Sequence, residues 1–235
     1  MVIKRKPPAI KPKPAESVPG LVEQVYRHLE SMIVTLQLPP GALLSEVVIS
    51  KELGVSRTPV GEALQRLSRD GLVTILPRRG IVVTEVSASD HLRLLELRRE
   101  IARFIARVGA RRATADERDG FRQVADEFVK AAVAGDDEAA FAADKKFHDL
   151  FAASSHNNFA ALAMEPLDSL SRRFSYVHQA MEGDKVRSAR LHAAIAMAIA
   201  KGDAQKAEQA VNELADYLDE FVRRTLDEPP ALPAR

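Results

Sequence analysis

Two residues with metal-binding chemistry lie one helical turn apart in the second half of the sequence. Asp144 and His148 are separated by four positions, so on a helix both side chains project from the same face. A carboxylate and an imidazole at this spacing can bind one divalent cation. The alternative is a hydrogen bond between two surface side chains, and the spacing alone does not decide between them.

Two short helical patterns joined by a glycine turn lie nearer the N-terminus. The first runs from a Ser45 cap to about residue 53. The second is expected to be capped by the Thr58 side chain, with Pro59 at a first helical position, and to run to about residue 70. Between them, Gly54-Val55-Ser56 forms a tight turn. This arrangement predicts a helix-turn-helix, whose second helix fits the major groove of DNA.

Polar and basic residues cluster where such a motif faces DNA. The hydroxyls and amides at the start of the second helix suit phosphate groups, and Arg57 can reach a guanine edge. Strand patterns near 72–76 and 81–85 predict a hairpin with two arginines at its tip, suited to the adjacent minor groove. The predicted DNA contacts are Ser45, Ser56, Arg57, Thr58, Arg66, Arg78, Arg79 and Gly80.

The chain after residue 86 has a helical pattern throughout. Capping motifs at 87–90 and 114–117, and Gly-Asp pairs at 135–136 and 202–203, mark helix ends. The predicted helices lie near 88–112, 115–134, 137–154, 157–180, 185–201 and 204–226. We therefore expect a mainly α protein: a winged helix-turn-helix with a small β-hairpin wing at 20–85 and an all-helical bundle at 86–228, flanked by disordered tails at 1–19 and 229–235.

The composition narrows the class of protein. Among 235 residues, 46% are hydrophobic and none is cysteine, which excludes cysteine catalysis, disulfides and thiolate metal sites. No apolar stretch has the length of a membrane span, and the N-terminus lacks the apolar run of a signal peptide, so we expect a cytoplasmic protein without a membrane partner. Residues 1–84 carry 12 Lys and Arg against 7 Asp and Glu, and the rest carries a net negative charge. Only the front part is therefore expected to meet a polyanion.

A long stretch of the front part resembles a known family. The run LSEVVISKELGVSRTPVGEALQRLSRDGLVTILPRRGIVV is similar to the winged helix-turn-helix of GntR-type bacterial repressors, and the pattern spans about residues 21–84. The helical remainder resembles the FCD ligand-binding domain of the FadR subfamily. The resemblance implies a ligand-responsive transcriptional regulator that binds a palindromic DNA operator as a homodimer, with repression the commoner mode.

Two positions depart from the family pattern in the DNA-binding part. The family usually has arginine where Gly61 stands, and often a basic residue near Val47, and both are typical DNA contacts. Glycine also costs about 1 kcal/mol of helix propensity relative to alanine. We therefore expect DNA binding that is weaker or has a different specificity.

The segment Asp-Lys-Lys-Phe-His resembles the Asp-x-x-x-His metal motif of FCD domains. The resemblance implies that Asp144, His148 and His192 hold a divalent transition metal such as zinc, nickel or manganese. The last histidine of the family motif falls at Leu214 in this sequence, which implies a weaker metal site. The alternative is that the three side chains form a hydrogen-bonding floor for an organic effector.

The same resemblance implies further effector contacts. Arg98 matches an arginine of the first FCD helix that commonly faces the pocket, where it would pair with a carboxylate effector. The alternative, a surface ion pair with Glu96 or Glu100, lacks the favourable spacing of three or four residues. The other predicted effector contacts are Asn157, Arg172 and Tyr176, whereas His28, His91 and His156 are expected at the surface or in turns.

Two other classes of protein are weighed against a ligand-responsive regulator. A metal-dependent helical enzyme would need a nucleophile, a general base or a phosphate loop beside the Asp144/His148/His192 cluster, and the sequence supplies none, so we predict that the protein is not an enzyme. An architectural DNA-binding protein without an effector would bind DNA regardless of its sequence. Its helical part would contain no internal polar pocket.

Overall fold

The computed structural model describes residues 20–178 and 184–227. Both predicted tails, at 1–19 and 229–235, lie outside these described residues. The elements, in chain order, are α1 (Leu21–Val34), β1 (Leu43–Leu44), α2 (Glu46–Leu53), α3 (Arg57–Arg69), β2 (Val73–Leu76), β3 (Gly80–Val83), α4 (Ala88–Arg112), α5 (Ala115–Ala134), α6 (Asp137–Ser154), α7 (Asn158–Val177), α8 (Asp184–Ala200) and α9 (Ala204–Asp227).

The front part combines α1, α2 and α3 with a small antiparallel sheet of strand order β1-β3-β2. Strands β2 and β3 form the predicted hairpin, with Ile75 opposite Ile81. Strand β1 was not predicted: only Leu43 and Leu44 pair with β3, and two residues are too few to show the alternation by which a strand is recognised. The mainly α fold with a β wing is confirmed.

The turn between α2 and α3 depends on Gly54, which has a φ of 65°, in the left-handed region that glycine tolerates. Helix α3 begins at Arg57, and Ser56 rather than Thr58 occupies its N-cap position. The prediction that Thr58 precedes the helix is therefore wrong. Pro59 still fits, because it lies in the first turn, where backbone N–H groups have no partner within the helix.

The front part has its own apolar core, which packs α1 against α3 and the sheet. Tyr26, Ile33, Leu64 and Leu67 are fully buried at its centre. One partly buried residue of α7, Leu170, joins this core from the helical part. Helix α3 is thus held on its inner face by α1, while its outer face is exposed.

The second part is a bundle of six helices, α4 to α9, whose described bounds agree with the predicted bounds within three residues. Local capping explains this agreement. Thr114 and Glu117 form the predicted capping box, and Gly135 ends α5 with a φ of 66°. Each motif satisfies backbone groups that the helix end leaves without partners, so it fixes where the helix begins or ends.

Small residues let the helices of this bundle pack closely. Helix α4 lies along α9, and α5 lies along α8. At Gly109, on α4, a β-carbon would collide with the side chain of Ser154, on α6. The core between these helices is built mainly from alanine and phenylalanine, with Phe121 and Phe147 among its fully buried side chains.

One histidine lies elsewhere than predicted. His91 is buried, with its ring 4.2 Å from the ring of Phe174, and the ring of His178 lies at the same distance from Phe174. The surface assignment is wrong because the first turns of α4 pack against α7 and α9. Burial lowers the pKa of His91 to about 3, so the ring stays neutral. His28 and His156 are exposed, as predicted.

Candidate functional site

The outer face of α3 carries an open groove. Arg57 and Thr58 line it together with Gly61 and Arg69, and the Arg57 side chain is 69% exposed. Its guanidinium lies 3.6 Å from the Glu46 carboxylate, in an ion pair that water screens and that DNA can displace. A β-carbon at Gly61 would meet the same carboxylate at ordinary contact distance, so the groove has room for a side chain there.

Seven of the eight predicted DNA contacts are exposed. They are Ser45, Ser56, Arg57, Thr58, Arg78, Arg79 and Gly80. Neither Ser45 nor Ser56 makes a side-chain capping hydrogen bond, so their hydroxyls at the starts of α2 and α3 are available to a phosphate. Arg78 and Arg79 form the tip of the wing, beyond the end of β2. The described geometry therefore suits a DNA-facing surface made of α3 and the wing.

The eighth predicted DNA contact, Arg66, is held at the junction between the two parts of the chain. Its guanidinium stacks on Tyr26, 3.8 Å from the ring centre, and pairs with Glu23 on α1. It also donates to Glu165 on α7 at 2.8 Å. In this conformation Arg66 connects α3 to the bundle through Glu165.

The bundle contains an open cavity of about 170 Å³, lined by residues of all six helices α4 to α9. Three of the four predicted effector contacts line it, namely Arg98, Arg172 and Tyr176. Asn157 does not: its side chain accepts hydrogen bonds from the backbone N–H groups of Phe159 and Ala160 and caps α7. Its place in the family turn is explained by helix capping, and the structure gives it no contact with the cavity.

The three predicted metal ligands come together in the wall of this cavity. Asp144 Oδ1 lies 3.4 Å from His148 Nε2 and 3.9 Å from His192 Nε2. One ligand atom from each side chain falls within 4.8 Å of the other two. One helical turn on α6 supplies two of the ligands, and α8 supplies the third across the cavity.

A second layer of contacts orients these three side chains. The Nδ1–H of His192 donates to the Ser188 carbonyl oxygen at 2.9 Å, which leaves Nε2 facing Asp144. Nδ1 of His148 lies 3.3 Å from Asp168, so its Nε2 likewise faces Asp144. Arg172 Nε donates to the other oxygen of Asp144 at 2.8 Å. Partners of this kind fix the tautomer and direction of ligating side chains.

The charges of the cluster follow from these pairs. Burial alone would lower the pKa of His148, but the carboxylates of Asp168 and Asp144 raise it to about 9. Burial lowers the pKa of His192 to about 4, against the opposing effect of Asp144. Although burial favours protonated carboxyls, His148 and the neighbouring arginines hold the pKa values of Asp144 and Asp168 below their usual range. His148 is thus cationic and His192 neutral near pH 7.

Asp168 is the residue of this cluster that the sequence analysis missed. It is buried, and Arg98 Nε and Nη2 donate to its Oδ1 at 3.0 and 2.9 Å. Arg98 is therefore paired inside the bundle and not with Glu96 or Glu100. The available signal was the spacing of four residues between Asp168 and Arg172, which puts both on one face of α7.

Leu214 lies beside the cluster, where the family motif has its last histidine. It is 4% exposed and lines a small apolar cavity of about 20 Å³ together with His148 and Arg98. Leu214→His should therefore add a fourth ligand and tighten zinc binding, measured by competition with a chromogenic chelator. Leu191→His, on the partly buried face of α8, is the control for adding a histidine. Unchanged affinity would show that the side chain at 214 does not reach the cluster.

Both parts of the chain match known protein families. Residues 21–83 match the family described as bacterial regulatory proteins, gntR family, and residues 93–216 match the FCD domain. The chain belongs to the GntR family of regulators with an FCD domain. Its relatives in this family are transcriptional regulators and not enzymes.

Full-length relatives of this GntR regulator share about a quarter of its residues. It is 28% identical to the HTH-type transcriptional repressor RspR of Escherichia coli K12, over 88% of this chain and 90% of RspR. A regulator of Agrobacterium vitis is 45% identical over 71 residues, and there the chain spans 42% of that relative. Among solved structures, E. coli McbR/YncC superposes with a TM-score of 0.74 at 18% identity, covering 88% of this chain and 99% of McbR/YncC.

No helix in residues 20–178 and 184–227 is long and apolar enough to cross a membrane.

Proposed function

We propose that this regulator binds a palindromic operator as a homodimer and represses transcription, and that a small organic acid with a divalent metal changes its affinity for DNA. The observation that carries this proposal is the convergence of Asp144, His148 and His192 in a cavity whose wall, α7, also contacts the DNA-binding part. We place the boundary between the DNA-binding domain, 20–85, and the effector domain, 86–228, between their separate apolar cores.

The side chains of the cluster fit a divalent transition metal. One carboxylate and two imidazoles form a donor set that zinc, nickel and manganese accept. Both imidazoles turn Nε2 toward Asp144 Oδ1, so the three donor atoms face a common position. A bound metal would act as a Lewis acid, and its remaining coordination positions could take oxygen atoms of a ligand. The proton on His148 must leave for its Nε2 to become a donor.

The charges around the cavity favour an anionic ligand. Arg98 and Arg172 balance the carboxylates of the buried Asp168 and the half-buried Asp144, so a divalent metal held by the neutral imidazoles would leave the cluster with a net positive charge. Buried charge without a partner is costly, so an anion that enters the cavity is stabilised. Carboxylates suit both the guanidinium groups and a metal.

Helix α7 connects this cavity to the DNA-binding domain. On the cavity side, Asp168 and Arg172 hold the ligand cluster. On the other side, Ser169 donates to Glu30 on α1, and the buried Arg173 donates to the carbonyl oxygens of Thr84 and Glu85, just after the wing. A ligand that shifts α7 must therefore shift these contacts too, which supports coupling between the two sites.

An apolar face at the start of α7 suits a second copy of the chain. Phe159 is 87% and Leu162 65% exposed, and their spacing of three residues puts both side chains on one face of the helix. Exposed apolar side chains in neighbouring positions mark interaction sites. A recognition helix reads about one half-site, so a palindrome requires two copies. Sedimentation of the wild type and of Leu162→Glu tests this assignment, since the variant should be monomeric.

Operator binding can be tested on a sequence selected from random DNA. Arg57→Ala should weaken binding to the selected operator by about tenfold to a hundredfold, because a good contact with a guanine edge contributes about 1–3 kcal/mol. Lys51→Ala, an exposed change on α2 away from the groove, is the control for loss of one positive charge. Equal affinities of the wild type and Arg57→Ala for the operator would show that α3 does not read the DNA sequence.

The polar cavity favours a ligand-responsive regulator over an architectural DNA-binding protein. Such a protein has no use for a cluster in which the buried His148, His192 and Asp168 surround the half-buried Asp144. It would also bind random DNA as tightly as any selected sequence.

A further inference from the structure

We propose that the effector is a dicarboxylate, with one carboxylate at the Asp144/His148/His192 cluster and the other on Lys185 at the opposite end of the cavity. This inference rests on the proposed acid-sensing function and specifies the chemical class of the acid. Lys185 lines the cavity and was not among the residues expected from the sequence.

The cavity extends along two helices from the cluster to its rim. Asp137 precedes Asp144 by seven residues on α6, and Lys185 precedes His192 by seven residues on α8. Seven residues are close to two helical turns, so each pair shares one face and is about 10 Å apart along the helix. All four residues line the cavity, which therefore has an inner polar end and an outer polar end.

On α6 and α8 the wall between these ends is mainly apolar. Ala140 and Phe141 on α6 and Ala189 on α8 lie between the two pairs in sequence and line the same cavity, with Ser188 as the polar exception on these two helices. A ligand that reaches both ends thus needs a hydrocarbon body between two polar groups.

At the outer end, Lys185 Nζ pairs with the Asp137 carboxylate at 2.7 and 2.9 Å. The two side chains are 46% and 57% exposed, so this pair contributes little to stability. A carboxylate of the ligand can therefore replace Asp137 as the partner of Lys185.

An anion is a better outer group than an amine. Asp137 stands in the first turn of α6, where the helix dipole stabilises its charge without any partner, so it gains little from a ligand amine. Lys185 has a long flexible stem and can turn its ammonium group into the cavity. With an anion also favoured at the inner end, the two ends together select a dicarboxylate.

The test uses three probes of one chain length, adipate, hexanoate and 6-aminohexanoate, titrated calorimetrically into zinc-supplemented full-length protein. The wild type should bind adipate about twofold to fivefold more tightly than hexanoate, as expected for an exposed charge pair that contributes up to about 1 kcal/mol. Lys185→Met should remove this preference while leaving hexanoate affinity unchanged. Asp137→Asn should tighten adipate binding severalfold, because it removes the competing carboxylate.

A closely matched control lies on α6. Lys145 pairs with Asp149 at 2.6 Å, and these side chains are 44% and 61% exposed, close to the values for Lys185 and Asp137. Lys145 does not line the cavity. Lys145→Met should therefore keep the wild-type preference for adipate. Equal binding of adipate and hexanoate by the wild type would overturn the dicarboxylate inference and leave acid sensing intact. Tighter binding of 6-aminohexanoate would overturn it in favour of an amino acid, and failure of every probe to bind would overturn acid sensing as well.

Discussion

Asp168→Ala should lower the free energy of unfolding by about 3–5 kcal/mol, because it leaves a buried arginine without its carboxylate. Arg98 donates twice to Asp168, and the two side chains are only 10% and 9% exposed. The same substitution removes the carboxylate next to His148 Nδ1, so zinc affinity should fall about tenfold to a hundredfold. Urea unfolding and zinc titration measure the two effects.

The double variant Arg98→Met/Asp168→Leu separates these effects. It removes both charges, so no unpaired charge remains in the interior and most of the lost stability should return. Zinc affinity should stay low, because His148 still lacks its carboxylate. A single variant as stable as the wild type would contradict the buried pair, and full zinc affinity in either variant would contradict the orienting role of Asp168.

Glu165→Gln should increase affinity for the selected operator severalfold and reduce the response of DNA binding to zinc and adipate. Glu165 forms ion pairs with Arg27 at 2.6 Å and with Arg66 at 2.8 Å, so it connects α1 and α3 to α7. Without its charge, Arg66 keeps its partners Glu23 and Tyr26 but loses its bond to α7, so less energy is needed to turn its guanidinium toward DNA. One additional phosphate contact should steepen the dependence of log affinity on log salt concentration by about 0.9. Fluorescence anisotropy at several salt concentrations measures the slope.

Glu208→Gln is the matched control for this prediction. Glu208 also forms ion pairs with two arginines, Arg103 at 2.9 Å and Arg107 at 3.4 Å. Its side chain is 22% exposed, compared with 21% for Glu165. Its pairs lie within the bundle, so neither operator affinity nor the ligand response should change. An unchanged salt slope in Glu165→Gln would show that Arg66 does not reach DNA when released.

The helix bounds could be predicted because their causes are local. The capping box of Thr114 and Glu117 and the left-handed Gly135 act within one turn of the helix ends that they define. The spacing of Asp144 and His148 is equally local, since a single turn of α6 brings both side chains to one face. Family resemblance added His192, which lies far away in sequence on α8.

The contacts that the sequence did not reveal join distant parts of the chain. Asp168 meets Arg98 across 70 residues, and Glu165 meets Arg66 across 99. No periodicity within either helix specifies such a partner, because it depends on how α4, α3 and α7 pack together. For the same reason the burial of His91 could not be predicted from its position near the start of a helix.

The proposed function depends on Asp144, His148 and His192 forming a metal-dependent effector site in a dimeric regulator. Elemental analysis and native mass spectrometry should be applied to untagged protein that is purified without chelator and then dialysed against zinc. We expect a dimer with about one zinc ion per chain, and loss of that zinc in the folded variant Asp144→Asn/His148→Gln/His192→Gln. A wild type that binds no zinc, or a triple variant that binds it equally well, would show that these three residues do not form a metal site.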